Sequence, residues 1–290
     1  MSGPQATVIG RRLHLNHGPI DLIVEAFGEA EEVRAAYGQA TARFGTVLEE
    51  LVGELPELRR AASPGGLRRF AGSTAQRMEA AVVPLAEHFI TPMAAVAGAV
   101  ADEMLAALVQ GRRLDRTYVN NGGDCALHLE DGTSLTVAIA GTGDGLGDRA
   151  VVRSADPARG VATSGWRGRS FSLGIADAVT VLARSAAAAD AAATIIANAV
   201  DLPGNPAIAR RPARALSPDS DLGDRPVTVG VGDLSPREIG AALDAGLRAA
   251  EGLAERGLIA GAALFLRGDM RATEMPDLVF STRRAEIAAA

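Results

Sequence analysis

One short glycine turn carries residues whose types could do chemistry. Asn120 and Asn121 run into Gly122 and Gly123, and Asp124 follows at once. Glycine lets a ligand approach the backbone without an intervening Cβ, while the amides and the carboxylate supply donors and acceptors beside it. The same residues are typical of a β-hairpin closed by a type I′ turn at Asn121-Gly122. The segment predicts a strand, a turn and a strand, with a ligand site at the turn as the functional alternative.

A second cluster of small and hydroxyl residues lies at Thr163, Ser164 and Gly165, just before the single tryptophan. Two hydroxyls beside a glycine can hold a phosphate, or they can cap a strand. The alternating glycines of Gly141–Gly147 could form a nest of backbone amides for an anion. They do not match a dinucleotide fingerprint, and the simpler interpretation is a flexible loop.

Two residues of an alanine-rich segment have the spacing of metal ligands. Asp190 and Thr194 lie four positions apart, which places a carboxylate and a hydroxyl on one face of a helix. Both are oxygen ligands that Mg²⁺ accepts alongside phosphate oxygens and water. The alternative is a capping or solvated role. Asp102 and Glu103, in an earlier helix with a face of small side chains, fit a solvated helix surface in the same way.

Composition excludes several classes of function. The chain has 290 residues with 48% hydrophobic but only 3% aromatic residues, so it can bury a large core but has little material for stacking bases. The net charge of -6 argues against binding to a nucleic-acid backbone. Every basic residue is arginine. The absence of lysine excludes a Schiff base and a Walker-type phosphate loop.

The chain has one cysteine, Cys125, which cannot form an intrachain disulfide and fits a reducing compartment. Its first residues do not show a basic region followed by a long apolar run, and 186–200 is too short and too polar to span a bilayer. We therefore predict a cytoplasmic protein that binds neither membrane nor nucleic acid. The sequence leaves a homo-oligomer open.

Apolar periodicity predicts alternating helices and strands. Strands are expected in two hairpins, Val8–Leu15 with Ile20–Phe27 and Cys125–Leu129 with Ser134–Ile139, and later at 151–152, 171–173, 179–183, 227–231 and 262–266. Helices are expected at 29–62 with a break at Pro56, 76–89, 91–110, 186–200 and 236–256. The stretch 203–226 is rich in Pro, Arg, Asp and Ser and predicts an irregular surface connection.

The order of these elements resembles the ApbE family of flavin transferases and, more closely, the shorter uncharacterised ApbE-like proteins grouped as UPF0280. The resemblance covers about Phe89 to Val200. The family pattern V-N-x-G-G-D is matched by residues 119–124, A-T-S-G by residues 162–165, and A-D-A-x-x-T by residues 189–194.

This resemblance implies one α+β domain over residues 1–290, with mainly antiparallel sheets flanked by helices. It also implies an FAD site and a Mg²⁺ ion near the pyrophosphate. The metal ligands would be Asp190 and Thr194. The flavin-site residues would be those that lie in the matched motifs, namely Asn120, Asn121, Gly122, Gly123, Asp124, Thr163, Ser164 and Gly165.

Two departures from the family pattern bear on activity. Catalytic members carry an H-x-x-D-P motif between the A-T-S-G element and the metal-binding helix, but residues 169–177 contain no histidine. Family members also carry a lysine in the helix with the small-residue face, and this chain has no lysine there. A transferase needs a group that orients or deprotonates the attacking oxygen, so the sequence identifies no catalytic residue.

Three hypotheses follow. The protein is a Mg²⁺-dependent enzyme that transfers FMN from FAD or cleaves the FAD pyrophosphate, an enzyme of another reaction class acting on a heterocyclic or nucleotide-like molecule, or a non-catalytic flavin-binding protein. Fold resemblance does not choose among them, because activity depends on the site.

Overall fold

The computed structural model describes residues 3–139, 148–274 and 280–281. It is a mixed protein of helices and antiparallel sheets, as the sequence predicts. The chain divides into two compact units, where the sequence suggested one domain. The first unit comprises Met1–Leu135, Val152–Ala162 and Ala183–Ala191, and the second comprises Thr136–Val151, Thr163–Leu182 and Ala192–Ala290.

The first unit contains an antiparallel sheet covered by helices. Its elements, in chain order, are β1 (Gln5–Ile9), β2 (Arg12–His17), β3 (Ile20–Phe27), α1 (Ala30–Leu58), α2 (Ser73–Val82), α3 (Val96–Val109), β4 (Arg116–Asn121) and β5 (Asp124–Leu129). Strands β1 to β5 pair in sequence order, and Gly160 and Val161 pair with β5. The alternating strand β2 buries Leu13 and Leu15 on the face that the sheet turns towards its core.

The remaining elements are β6 (Ser134–Ile139), β7 (Asp148–Arg153), β8 (Gly160–Ser164), β9 (Ala178–Ala183), α4 (Ala186–Ala199), β10 (Ile208–Pro212), α5 (Ala213–Leu216), β11 (Pro226–Val231), α6 (Pro236–Glu255), β12 (Gly261–Leu266), β13 (Asp269–Ala272) and β14 (Phe280–Ser281). In the second unit, β12 pairs with both β9 and β13. Helix α6 begins with the predicted capping box of Ser235 and Glu238.

Several local predictions were wrong. A turn at Gly10, where φ is +62°, divides the first predicted strand into β1 and β2. Strand β6 pairs with β7 and not with β5, whose second neighbour is β8. Residues 171–173 are not a strand. The predicted irregular stretch 203–226 contains α5 and also β10, which is paired with β11. Helix α1 continues through Pro56 to Leu58.

Among the described residues, one segment, Pro92–Val109, is long and apolar enough to cross a membrane by composition. Half of it is buried inside the protein, as in the core helix of a folded domain. The segment includes Asp102 and Glu103, whose carboxylates accept hydrogen bonds from other parts of the first unit.

A buried ionic network joins three helices of the first unit around Glu103. Glu103 is only 7% exposed, and its carboxylate accepts hydrogen bonds from Arg43 Nε at 2.8 Å, Ser73 Oγ at 2.6 Å and Arg77 Nε at 2.9 Å. Burial alone raises the pKa of Glu103, but these hydrogen bonds outweigh it and hold the pKa below its ordinary value. The solvated-surface interpretation of Glu103 was wrong.

We expect Glu103→Gln to destabilise the protein by about 2 kcal/mol near neutral pH, because the neutral amide loses the charge-assisted hydrogen bonds from Arg43 and Arg77, although Arg43 keeps those to Glu50. Since the folded-state pKa is depressed, the stability that Glu103 contributes is present above the unfolded-state pKa of about 4.3 and is lost as the pH falls through the folded-state pKa. Urea unfolding at neutral and acidic pH would measure both effects. The exposed Glu49→Gln is the control, and equal losses in the two variants would contradict the prediction.

Candidate functional site

The glycine turn is a two-residue hairpin connection in the first unit. Asn121 at the end of β4 pairs with Asp124 at the start of β5, and Gly122 and Gly123 lie between them with φ of +66° and +119°. The predicted strand, turn and strand are confirmed. The central turn residues are the two glycines and not Asn121-Gly122, because both turn positions need positive φ.

The two asparagines fix this turn. Asn120 Oδ1 accepts a hydrogen bond from the Gly123 amide at 2.9 Å, and Asn121 Nδ2 donates to the Ala97 carbonyl at 3.0 Å. The first bond closes the turn on itself, and the second ties it to α3. Gly122 and Gly123 remain exposed, so the backbone of the turn is open to a ligand while its side chains hold it in place.

Two carboxylates join α3 to the beginning of α4 in the same unit. Asp190 Oδ2 accepts a hydrogen bond from the Gly98 amide at 3.0 Å. Asp102 Oδ1 and Oδ2 accept from the amides of Ala186 at 3.0 Å and Ala187 at 2.8 Å. The interpretation of Asp102 as a solvated surface acid was therefore wrong.

Burial and mutual repulsion disfavour the charged forms of these acids. Burial, followed by the nearby charge of Asp124, raises the pKa of Asp190 well above its ordinary value, and Asp102 adds to the effect. Burial also raises the pKa of Asp102, although the amides of Ala187 and Ala186 oppose this. Beside them, burial and the charge of Asp124 raise the pKa of the Cys125 thiol to about 12. The charged forms of Asp102 and Asp190 are therefore costly without a positive partner, and a bound cation would favour them.

Within residues 3–139, 148–274 and 280–281, no three His, Cys, Asp or Glu side chains are grouped so that they could hold a metal ion. Mg²⁺ does not need three protein ligands of this kind, since it is commonly held by one or two carboxylates together with substrate phosphates and water. Asp190 supplies an oxygen donor of this kind, next to the charge of Asp124. These residues fit a magnesium ion that is shared with a phosphate ligand.

The A-T-S-G element lies in the second unit from Thr163 onward. Thr163 Oγ1 and Thr180 Oγ1 are 2.8 Å apart, and Ser164 is half-buried. A Cβ on Gly165 would lie 2.6 Å from the Asp177 carbonyl oxygen, so only glycine fits there without a backbone shift. This element is held closely against the strand that begins at Ala178.

Asp177 is the centre of a polar cluster in the second unit. Its carboxylate accepts hydrogen bonds from Trp166 Nε1 at 3.3 Å, Arg167 Nε at 2.6 Å and the Arg267 amide at 2.6 Å. Arg267 has a φ of +53°, a conformation that non-glycine residues adopt rarely. Asp177 falls in the interval where the sequence showed no family histidine.

The structure brings some of the predicted site residues together. Asn121, Asp124 and Asp190 belong to the first unit, around the beginning of α3. Thr163, Ser164, Gly165 and Thr194 belong to the second unit. Asp190 and Thr194 lie on the predicted helix, now α4, one turn apart, and Thr194 is half-buried. The predicted anion nest Gly141–Gly147 lies outside the described residues.

Sequence reasoning did not assign a site role to Asp102 or Asp177. For Asp102 a signal existed, because it lies four residues after Gly98 on the small-residue face of its helix. A charge on such a face indicates a nearby partner. For Asp177 the sequence offered no comparable signal, since its partner Arg267 lies 90 residues away in the chain.

Antiparallel sheets flanked by helices, with an exposed glycine turn next to Asp124, make this a mixed α and β protein. The chain belongs to the family whose model is described as "AbpE bacteria", which matches residues 5–272. The predicted family relationship and fold class are confirmed.

The relatives carry the UPF0280 name. The chain is 38% identical to a UPF0280 protein of Methanothrix thermoacetophila over an alignment of 115 residues. This alignment covers 38% of this chain and 46% of the relative. The chain is 34% identical over 172 residues to a UPF0280 protein of Methanopyrus kandleri, covering 59% and 67%. The match thus spans about half the length of the first of these relatives. The crystal structure of Pseudomonas stutzeri flavinyl transferase ApbE, apo form, aligns over 95% of this chain and 96% of that one, with 14% identity and a TM-score of 0.42.

Proposed function

We propose that the protein is a Mg²⁺-dependent enzyme acting on FAD. It either transfers FMN to a hydroxyl of an acceptor protein or cleaves the pyrophosphate with water, and AMP leaves in both cases. The observation that carries this proposal is that Asp190 and the glycine turn meet at the same point of α3: Asp190 accepts the Gly98 amide, and Asn121 of the turn donates to the Ala97 carbonyl, with the charge of Asp124 close to Asp190. Membership of the family and the matched motifs support flavin as the ligand class.

The carboxylate of Asp190 would hold the metal ion. Its carboxylate already accepts hydrogen bonds from the amides of Gly98 and Ala97, but each carboxylate oxygen has two lone pairs, so acceptor capacity remains for a cation. Asp124 would contribute its negative charge, and the hydroxyl of Thr194 would be the second ligand, one helical turn on. When bound, Mg²⁺ would offset the negative charge of the pyrophosphate oxygens.

The remaining candidate residues would bind and orient the flavin nucleotide. The exposed turn at Gly122 and Gly123 offers a backbone edge without side-chain obstruction, held by Asn120 and Asn121. Thr163, Ser164 and Gly165 would bind phosphate through hydroxyl and amide donors. Orientation of this kind can supply much of a rate enhancement even where a general base is weak.

A second candidate function is flavin binding without catalysis. The observation that favours it is Asp177, whose carboxylate is the acidic group in the interval without a histidine. It accepts three hydrogen bonds, including one from the Arg167 guanidinium. These three hydrogen bonds give Asp177 a structural role in holding its polar cluster together.

The proposal is tested by adding FAD, with and without Mg²⁺, to the purified protein. Flavin fluorescence would follow binding, and chromatography would follow AMP. We expect FAD to bind and AMP to appear only when Mg²⁺ is present. Binding without AMP would favour the second candidate. No affinity for FAD would contradict both candidates and leave an enzyme of another reaction class on the same scaffold.

A further inference from the structure

Helices α3 and α4 cap each other's first turns. The first amides of a helix have no partner within that helix and need an acceptor from elsewhere. Asp102, in the second turn of α3, accepts from the first two amides of α4, those of Ala186 and Ala187. Asp190, in the second turn of α4, accepts in return from the Gly98 amide in the first turn of α3.

The two helices approach so closely that neither can shift much without breaking the hydrogen bonds between them. A Cβ on Gly98 would lie 2.2 Å from the Ala186 carbonyl oxygen, and a Cβ on Gly160 would lie 2.0 Å from the Ser185 carbonyl carbon. Both neighbouring atoms belong to backbone, so they cannot turn away as a side chain can. The N-terminus of α4 is therefore fixed by α3 on one side and by the strand containing Gly160 on the other.

From this arrangement we infer that Asp102 is a positioning residue for Asp190. It holds the first turn of α4, and Asp190 follows Ala186 by four residues, about one rigid helical turn. The inference rests on the proposed function, in which Asp190 holds the metal ion. Asp102 does not touch the metal. It sets the place of the carboxylate that does.

Asp102 is suited to this task by charge as well as by geometry. Burial raises the pKa of Asp102, and the two amides that its carboxylate accepts from, together with the helix dipole, partly offset that cost. Ser185 extends the arrangement, because its Oγ accepts from the Ala188 amide at 3.2 Å and its side chain also hydrogen-bonds Asp102. An uncharged replacement of Asp102 keeps the shape but holds the two amides less firmly.

Asp102→Asn tests the inference, and Glu103→Gln is its matched control. Both variants change one carboxylate to an amide in the same turn of α3, but the partners of Glu103 are Arg43, Ser73 and Arg77, none of which lies in α4. Two properties would be measured on the full chain. One is the affinity for Mn²⁺ alone, from the electron paramagnetic resonance signal of the free ion. The other is amide hydrogen exchange in a peptide covering 184–195.

We expect Asp102→Asn to weaken Mn²⁺ binding about 10-fold or more, as for other groups that orient a metal ligand, and to speed exchange in that peptide. Glu103→Gln should lower the melting temperature and leave both properties near wild type. Ser185→Ala should act in the direction of Asp102→Asn with a smaller effect, and it serves as the test variant if Asp102→Asn fails to fold.

The inference is overturned if Asp102→Asn, or Ser185→Ala in its place, melts earlier but keeps wild-type Mn²⁺ affinity and exchange. It is also overturned if Glu103→Gln changes both properties equally, or if the wild type does not bind Mn²⁺. A wild type that binds Mn²⁺ but releases no AMP from FAD contradicts the proposed enzyme activity alone, and the comparison of the variants still decides the role of Asp102.

Discussion

Replacing Asp190 by Asn should raise the melting temperature of the metal-free protein and abolish its stabilisation by Mg²⁺ with FAD. Burial and the charge of Asp124 raise the pKa of Asp190 in the folded state. A group with a raised folded-state pKa contributes stability that is full below its unfolded-state pKa and is lost as the pH rises through the folded-state pKa. Near neutral pH its ionisation therefore opposes folding, and the neutral Asn removes that opposition.

The Asn side chain keeps one oxygen whose two lone pairs can accept from the amides of Gly98 and Ala97, so the connection between α3 and α4 should survive. We expect a gain of ~2 °C or more in the absence of metal, measured by calorimetry near neutral pH. This gain should shrink as the pH falls below the unfolded-state pKa of about 3.9, where the wild-type carboxylate is protonated in both states. The exposed Asp131→Asn is the control. A lower melting temperature with an intact response to Mg²⁺ would mean that Asp190 is only a structural cap.

Gly160→Ala should cost about 4 kcal/mol or more of stability, or prevent folding altogether. The added Cβ would lie 2.0 Å from the Ser185 carbonyl carbon and 2.1 Å from the Ala186 nitrogen. Overpacking often costs 1–3 kcal/mol when side chains can adjust, but here the neighbour is the backbone at the start of α4. Relief requires the helix to move, which would also pull the amide of Ala186 away from Asp102.

The matched control is Gly38→Ala in α1, because that glycine is exposed and has no other atom within 4 Å of an added Cβ. We expect this change to stabilise the protein by roughly 0.5–1 kcal/mol, since alanine favours the helix. Urea unfolding of both variants measures the contrast. Similar stabilities in the two variants would show that the contact at Gly160 is relieved cheaply.

Elements with strong local signals could be predicted from the sequence. The alanine-rich helix α4 and the capping box of Ser235 with Glu238 are determined by residues near one another in the chain, and both are found. Strand pairing is decided by distant residues. The sequence could not show that β6 pairs with β7, or that β10 within 203–226 finds a partner in β11.

In the candidate site, too, the features fixed by nearby residues could be predicted and those fixed by distant residues could not. The turn at Gly122 and Gly123 follows from local backbone requirements, and it could be predicted. Asp102 looked like a surface acid because its partners, Ala186 and Ala187, lie 84 and 85 residues away. A charged residue of one helix can be recognised as the cap of another helix only when the packing of the two helices is known. The motif resemblance supplied the order of the site elements but not this contact.

The central claim is that Asp190 holds a divalent cation at the pyrophosphate of FAD. Phosphorus NMR of FAD bound to the protein in the presence of Mn²⁺ tests it most directly, because the paramagnetic ion broadens the signals of phosphates that lie next to it. We expect strong broadening of both pyrophosphate signals with the wild type and its loss with Asp190→Asn, while FAD remains bound. Equal broadening with the two proteins would contradict it.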